Sequence, residues 1–219
     1  RVFAAWGKTK GAGIVIGHPD TGIAQHDELG ADMLRLDIAR DIIDGDANPE
    51  DPLLPRMANP AHGIGTASVI ASKTTGQISG IAPEAKIVPI RCIEDVKVFN
   101  QAPVAAAVAH AEQVGCHIIS LSLGGIPSRA LHAAIRSAID NDIIVLSAAG
   151  NCVSTVVWPA RYSEVIAVAG TNIDDQPWKG SCSGSAVTIS APAEFVWRAS
   201  RSTPDESTDQ VSTGQGTSF

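Results

Sequence analysis

The sequence predicts an α/β fold: a doubly wound, mostly parallel sheet with helices on both faces, in a single domain spanning residues 1–219. Three observations carry this. Short apolar runs recur, each ending in a polar or glycine-bearing turn, and stretches of about ten to fifteen residues with helical apolar spacing separate them, which is the pattern of βαβ units. Hydrophobic residues make up 44% of the 219 and charged residues only 18%, so the chain can close a sizeable core. Aromatics are only 4%, so that core is built from Ala, Val, Ile and Leu, as suits strands buried on both faces.

The elements follow in order. Gly13 to Ile16 is an apolar strand that runs into the turn His18-Pro19-Asp20-Thr21-Gly22. Leu34 to Ile38 alternates and reads as a second strand. Residues 41–60 hold Gly45, several carboxylates and prolines at 49, 52, 55 and 60, which marks a long surface loop. A helix follows from His62 to about Ser72, then a strand from Lys86 to Ile90. Asn100 caps a helix running to about Val114, with Val104, Val108 and Ala111 at helical spacing. Ile118 to Leu121 is a strand ending in Ser122-Leu123-Gly124-Gly125. A helix from about Ser128 to Asp140 puts Leu131, Ile135 and Ile139 on one face. Ile143 to Leu146 is a strand leading to Ala148-Ala149-Gly150-Asn151, and Val165 to Ala169 is another. Parallel sheets bind ligands beyond the carboxyl ends of their strands. The clusters at Asp20, Ser122–Gly125 and Gly150-Asn151 all fall there.

Composition excludes several classes. The net charge is −7 and no basic run exists, so nucleic acid is not an expected partner. No apolar run approaches the ~20 residues of a membrane span. Arg1 is not an initiator methionine and no signal segment is present, so the chain is expected to be a processed or trimmed piece of something longer. Cys92, Cys116, Cys152 and Cys182 are too few for a disulfide framework; one or two bridges or four free thiols remain open.

Four residues could carry chemistry together. A buried Asp20 after a strand can orient a histidine and stabilise its charged form. His62 at a helix start feels the positive end of the dipole, which favours the neutral base. Ser218, in Gly216-Thr217-Ser218, becomes a nucleophile only beside such a base. Asn151 can offer its amide to a developing oxyanion. Alone, each has an ordinary reading: an Asp starting a turn, a surface histidine, a serine in a polar stretch, an Asn after Gly.

The ordered set Asp20, His62, Ser218, each in its own glycine-bearing signature, resembles the subtilisin-like serine peptidase (subtilase) family, whose residue order is a known one. Ile14–Gly22 is similar to the family's Asp motif and His62-Gly63-Ile64-Gly65-Thr66-Ala67 to its His motif. Ser122-Leu123-Gly124-Gly125 and Ala148-Ala149-Gly150-Asn151 resemble its substrate-binding and oxyanion segments, and Gly216-Thr217-Ser218 its nucleophile motif. Ala5-Trp6, Gly80-Ile81-Ala82-Pro83, Trp158-Pro159-Ala160 and Ser190-Ala191-Pro192 add smaller matches.

The resemblance implies a serine endopeptidase with Asp20, His62 and Ser218 as triad and Asn151 in the oxyanion hole. It implies an extended peptide substrate beside Ser122, Leu123 and Gly124, with an S1 pocket walled by that segment and by Ala148, Ala149 and Gly150. A pro-segment or inhibitor would be a further partner, no cofactor serves the chemistry, and the location is secreted or cell envelope. It further implies a cis bond at Trp158–Pro159, a Cys152–Cys182 disulfide set against unpaired thiols, and core thiols at Cys92 and Cys116. Glu28 is the candidate ligand of a structural calcium, set against a charged surface turn, because the loop that would complete the site, Lys73 to Gln77, is short. His110, His117 and His132 read as structural or solvated.

The sequence departs from the family pattern at His18-Pro19, where apolar residues are usual, and at Gly65, where a second histidine is common. It also stops at Phe219, where the family continues into a long buried helix, so residues 1–219 alone are expected to be inactive. Three rival readings use the same residues. One is a metallohydrolase built on His18, Asp20, His26, Asp27 and His62; another is a non-catalytic binding module; the third is a ligase or cyclase that passes the acyl group to an amine.

Overall fold

Val15 and Ile16 open a strand that is buried from its second residue to its last and lies inside the central sheet, with a parallel neighbour on each side. The computed structural model describes residues 2–73 and 75–219. Its elements are α1 (Val2–Trp6), β1 (Val15–Asp20), β2 (Arg40–Asp41), α2 (His62–Ala71), β3 (Lys86–Arg91), β4 (Lys97–Val98), α3 (Ala102–Gln113), β5 (Ile118–Leu121), β6 (Gly124–Gly125), α4 (Arg129–Asp140), β7 (Ile144–Ala148), β8 (Ile166–Thr171), β9 (Ile189–Pro192), β10 (Val196–Ala199) and β11 (Val211–Gly214). Seven strands form one parallel sheet in the order β2-β3-β1-β5-β7-β8-β9.

Helices cover both faces. On one, Val104, Val108 and Ala111 of α3 and Leu131 and Ile135 of α4 pack with Val88, Ile90, Ile119, Leu121 and Val145. On the other, Ile64, Ala67 and Ala71 of α2 pack with Ile87, Leu53 and Ala199. Strand β3 feeds both cores, because successive side chains point to opposite faces: Ile87 goes to the α2 side, Val88 and Ile90 to the α3–α4 side. Each such fully buried aliphatic side chain stabilises the fold by about 1.5–3 kcal/mol. Cys92 and Cys116 lie in the larger core, as expected of core thiols. Burial pushes the Cys92 thiol well above its ordinary value and the Cys116 thiol up to about 11.

Two expectations need correction. Leu36–Ile38 is a turn of 3-10 helix, and the edge strand is Arg40–Asp41. The alternation at 34–38 does not mark a buried face, since Leu36 is exposed and Arg35 forks onto Asp37 at 2.8 and 2.7 Å. Helix α3 starts two residues after Asn100, whose Oδ1 still accepts the Ala102 N–H at 3.2 Å. The α4 boundary stands, with Ser128 Oγ accepting the Leu131 N–H at 3.3 Å.

The antiparallel hairpin β10–β11, with Val196 opposite Gly214 and Ala199 opposite Val211, was not foreseen. It sits against α2, where the Ala199 N–H donates to Ser68 Oγ at 2.9 Å, and it delivers residues 216–218. Strand β1 leads into α2 on one face and β5 into α4 on the other. The crevice between the ends of β1 and β5 is therefore the switch point at which such sheets bind ligands. Among the described residues, no helix is long and apolar enough to cross a membrane.

Candidate active site

Asp20 ends β1 with no exposed surface. Its Oδ1 accepts His62 Nδ1–H at 2.8 Å and the Thr21 N–H at 2.7 Å. Burial by itself would raise its carboxyl. The interaction and hydrogen bond with His62, the neighbouring His18 and the Thr21 N–H outweigh burial and hold it below the ordinary value. With Nδ1 committed to the carboxylate, His62 presents Nε2 as the basic nitrogen.

His62 is placed by a polar clamp at the start of α2. Buried Asp51 accepts the Ala61 N–H at 2.9 Å, the Leu53 N–H at 2.9 Å and the Thr21 hydroxyl at 2.7 Å. Thr21 Oγ1 in turn accepts the Gly63 N–H at 3.0 Å. These bonds satisfy helix-start donors that would otherwise lack partners. Gly63 must lack a side chain, since a Cβ there would lie 2.0 Å from the Gly22 carbonyl oxygen. Burial raises the Asp51 carboxyl despite its three donors, and the Asp20 charge adds to the rise. Sequence reasoning missed Asp51 and gave Thr21 no role. The only signal was a lone Asp before Pro52 in the long loop.

The other half of the site comes from the end of β7 and the segment after β11. Asn151 Oδ1 accepts the N–H of Thr217 at 2.9 Å and its hydroxyl at 3.0 Å, and the Gly150 N–H donates to Thr217 Oγ1 at 3.1 Å. This fixes the amide so that Nδ2 remains as a donor. Ser218 Oγ donates to the Ser122 carbonyl at 3.4 Å, and Ser122 Oγ donates to the Ser218 carbonyl at 2.9 Å. Among the described residues no hydrogen bond joins Ser218 to His62. Such catalytic bonds are often long before substrate arrives. The structure thus gathers Asp20, His62, Ser122, Asn151 and Ser218 at one sheet edge, with the Asp–His pair formed and the Ser–His pair open.

Beside Ser218 lies a cavity of about 320 Å³ with apolar walls that include Val96, Phe99, Leu123, Ala148 and Val157. Ser122, Gly124 and Gly150 border it. Ala149 does not: it is fully buried in a separate core cluster with Val156 and Ala160. The rim also differs from expectation. Strand β6 is paired on one side with β4, the Gly124 N–H donating to Val96 O at 2.9 Å. On its other side the Gly125 N–H donates to Trp158 O at 2.8 Å. Gly125 lies so close to β4 that a Cβ would fall 1.8 Å from Val98 O. The edge at which the resemblance places a substrate strand is paired within the chain.

The remaining expectations divide. The Trp158–Pro159 bond is cis. Cys152 and Cys182 flank the Asn151–Ser181 bridge but are both free thiols, so the disulfide is corrected to the unpaired alternative. His26 and Asp27 do not join His18, Asp20 and His62 around a metal. His26 Nε2 binds Gln210 O at 2.7 Å, Asp27 binds Thr208, and among the described residues no group of three His, Cys, Asp or Glu side chains could hold an ion. Glu28 is buried, so it is not a charged surface turn. Its Oε1 accepts the Gln77 N–H at 2.6 Å, which leaves Oε2 alone to face a cation. That donor set does not fit the six to eight oxygens of a calcium site, and Thr74, in the same loop, lies outside the described residues. His110 and His117 bind backbone groups, Ile38 O at 2.9 Å and Val15 N at 3.0 Å, while His132 stacks on Tyr162.

The chain is 32% identical over 196 residues to thermitase of Thermoactinomyces vulgaris, covering 88% of this chain and 67% of that protein. It is 31% identical over 204 residues to an intracellular serine protease of Paenibacillus polymyxa, covering 88% and 60%. It is 30% identical over 226 aligned residues to an extracellular protease of Xanthomonas campestris, covering 88% and 39%. The chain thus spans from 39% to 67% of the length of these relatives. A protease from Pseudoalteromonas arctica superposes with a TM-score of 0.86 at 25% identity, covering 98% of this chain and 76% of that one. A cold-adapted subtilisin-like serine proteinase superposes with a TM-score of 0.78 at 27% identity, covering 96% and 72%. Residues 11–219 match the model of the subtilase family, and with all but ten residues accounted for in this way the chain belongs to that family.

Proposed function

We propose that this chain carries the catalytic centre of a serine endopeptidase that cleaves peptide bonds through an acyl-enzyme. The observation that carries the proposal is the 2.8 Å bond between buried Asp20 and His62 Nδ1 at the switch point of the sheet, with Ser218 on the adjoining loop. Ser218 Oγ attacks the carbonyl carbon as His62 Nε2 takes its proton. Asn151 Nδ2 and the Ser218 N–H receive the oxyanion. His62 then protonates the leaving amine as the C–N bond breaks, and water, deprotonated by His62, hydrolyses the ester. Asp20 holds the tautomer and stabilises the imidazolium throughout.

The apolar cavity of about 320 Å³ suits a large apolar P1 side chain. An extended substrate strand, or a pro-segment or inhibitor in its place, reaches the Gly124 edge by displacing β4. The test is fluorophosphonate labelling of the intact protein. A covalent adduct on the wild type that is lost in Ser218→Ala supports the proposal; no adduct on the wild type overturns it. Product masses with a peptide substrate and an added amine separate hydrolysis from acyl transfer.

A further inference from the structure

One buried titratable side chain beside the site has no part in the reaction described above. We propose that His18, acting through Thr66, is a positioning residue that braces the Oδ2 side of Asp20 and tempers the pull of that carboxylate on His62. The proposal rests on the reading of Asp20, His62 and Ser218 as a triad.

The two oxygens of Asp20 are served unequally. Oδ1 holds two short bonds, from His62 and from Thr21. Oδ2 faces Thr66 Oγ1 at 3.4 Å and His18 Nε2 at 3.9 Å. His18 and Thr66 are bonded to each other at 2.9 Å, and each is 1% exposed. Oδ2 therefore looks onto a dry polar pair.

The proton on His18 can be placed. Nδ1 is buried and has no partner. A proton there would be an orphaned donor, which buried sites tolerate least. On Nε2 it meets Thr66 Oγ1 and points towards the carboxylate. Burial keeps the imidazole neutral, against the pull of Asp20 and with the repulsion of His62. Thr66, having accepted that hydrogen bond, keeps its own proton to donate, with Asp20 Oδ2, His62 O at 3.2 Å and Gly63 O at 3.2 Å in reach. The ionisable groups acting on His18 are Asp20 on its own strand and His62 on α2; β3 sets Pro89 beside it in register.

The His18 N–H dipole thus turns its positive end towards Asp20, the Thr66 hydroxyl stands within reach of the same oxygen, and neither carries a formal charge. They offset part of the carboxylate's field in a dry site, where such dipoles act strongly. His62 then answers to a weaker field, and the base stays available further into acid.

The test uses the intact protein with His18→Val, Thr66→Val and Thr66→Ser, each checked for folding by thermal unfolding. Two readouts are taken: the acid limb of kcat/KM against pH, and the downfield proton resonance of the Asp20–His62 hydrogen bond. With His18→Val the limb should move up by about half a pH unit and the resonance should move downfield. Thr66→Val breaks the same link with little change of volume and should do the same, whereas Thr66→Ser keeps the hydroxyl and the wild-type limb. Folded valine variants with both readouts unmoved would overturn the proposal. The resonance does not depend on turnover. If it moves as expected in a protein that takes no fluorophosphonate label, the role of His18 stands and the triad reading falls.

Discussion

The two halves of the site are built to different standards. Around Asp20 and His62, the side chains of Asp20, Thr21, Asp51, Thr66 and His18 are almost wholly buried and joined in one hydrogen-bonded network. Around Ser218, Asn151 and Cys152 are exposed, Val153 is 50% exposed, and the serine hydroxyl is held by one bond of 3.4 Å. The proposed base, His62, is therefore set by the same contacts that hold β1 to α2. The proposed nucleophile, half-buried Ser218, follows buried Thr217 on the segment after β11, and among the described residues no hydrogen bond ties it to His62. Stability and activity should be coupled in the first half and separable in the second.

The largest expected effect tests the separable half. Ser218→Ala should lower kcat by about 10⁶-fold while leaving unfolding within about 0.5 kcal/mol of wild type, measured by turnover and by denaturant titration. Asp20→Asn should lower kcat by about 10⁴-fold through the wrong His62 tautomer. Asn151→Ala should lower kcat by about 10²- to 10³-fold with KM little changed, which steady-state kinetics would check.

The coupled half is broken at Asp51. Asp51→Ala orphans the Ala61 and Leu53 N–H groups and the Thr21 hydroxyl, and should destabilise the fold by about 3 kcal/mol as well as slowing turnover. A variant that slowed turnover at full stability would refute the coupling. The pH dependence of stability gives a finer test. The Asp20 carboxyl is depressed, so its contribution is present above the ordinary carboxylate value and is lost as pH falls through the folded one. The Asp51 carboxyl is raised, so its contribution has the opposite sign and is lost as pH rises through its folded value. In melting curves across the acid range, Asp20→Asn should flatten the rise of stability with pH, and Asp51→Asn should steepen it. The smallest effect is at the rim. Gly125→Ala, which forces β4 off β6, should lower KM for a peptide by about fivefold, one backbone hydrogen bond's worth. A raised KM would make β4 part of the platform for substrate and not its competitor.

What the sequence made legible follows from how each feature is encoded. Asp20, Asn151 and the parallel strands before them could be read because each apolar run stops at a glycine-bearing turn, and parallel topology sends those turns to one edge. The start of α2 at His62 was equally plain. Asp51, Thr66 and the contact between His18 and Thr66 could not be read, since each depends on residues 30 or more positions apart meeting in three dimensions. The proline-rich stretch at 41–60 looked like a bland loop because the value of Asp51 lies in tying its own loop and the start of α2 to the distant Thr21 hydroxyl. The hairpin β10–β11 exposes Trp197 and buries Ala199, the reverse of what residue size suggests. The two-residue strands β4 and β6 are too short to show any period.

The order of the strands also bears on how the molecule is made. Asp20, Asp51 and His62, with the strands β1 and β3 that flank them, lie within the first 91 residues, whereas Ser218 follows β11. Chains fold from their amino-terminal side as they emerge from the ribosome. A nascent chain therefore carries every residue of the acid–base pair and its clamp for well over a hundred residues before it carries anything for that base to activate. On the proposed reading of Ser218, a hydrolase arranged in this way stays chemically silent during its own synthesis, and the hairpin that packs on α2 leads directly into the proposed nucleophile.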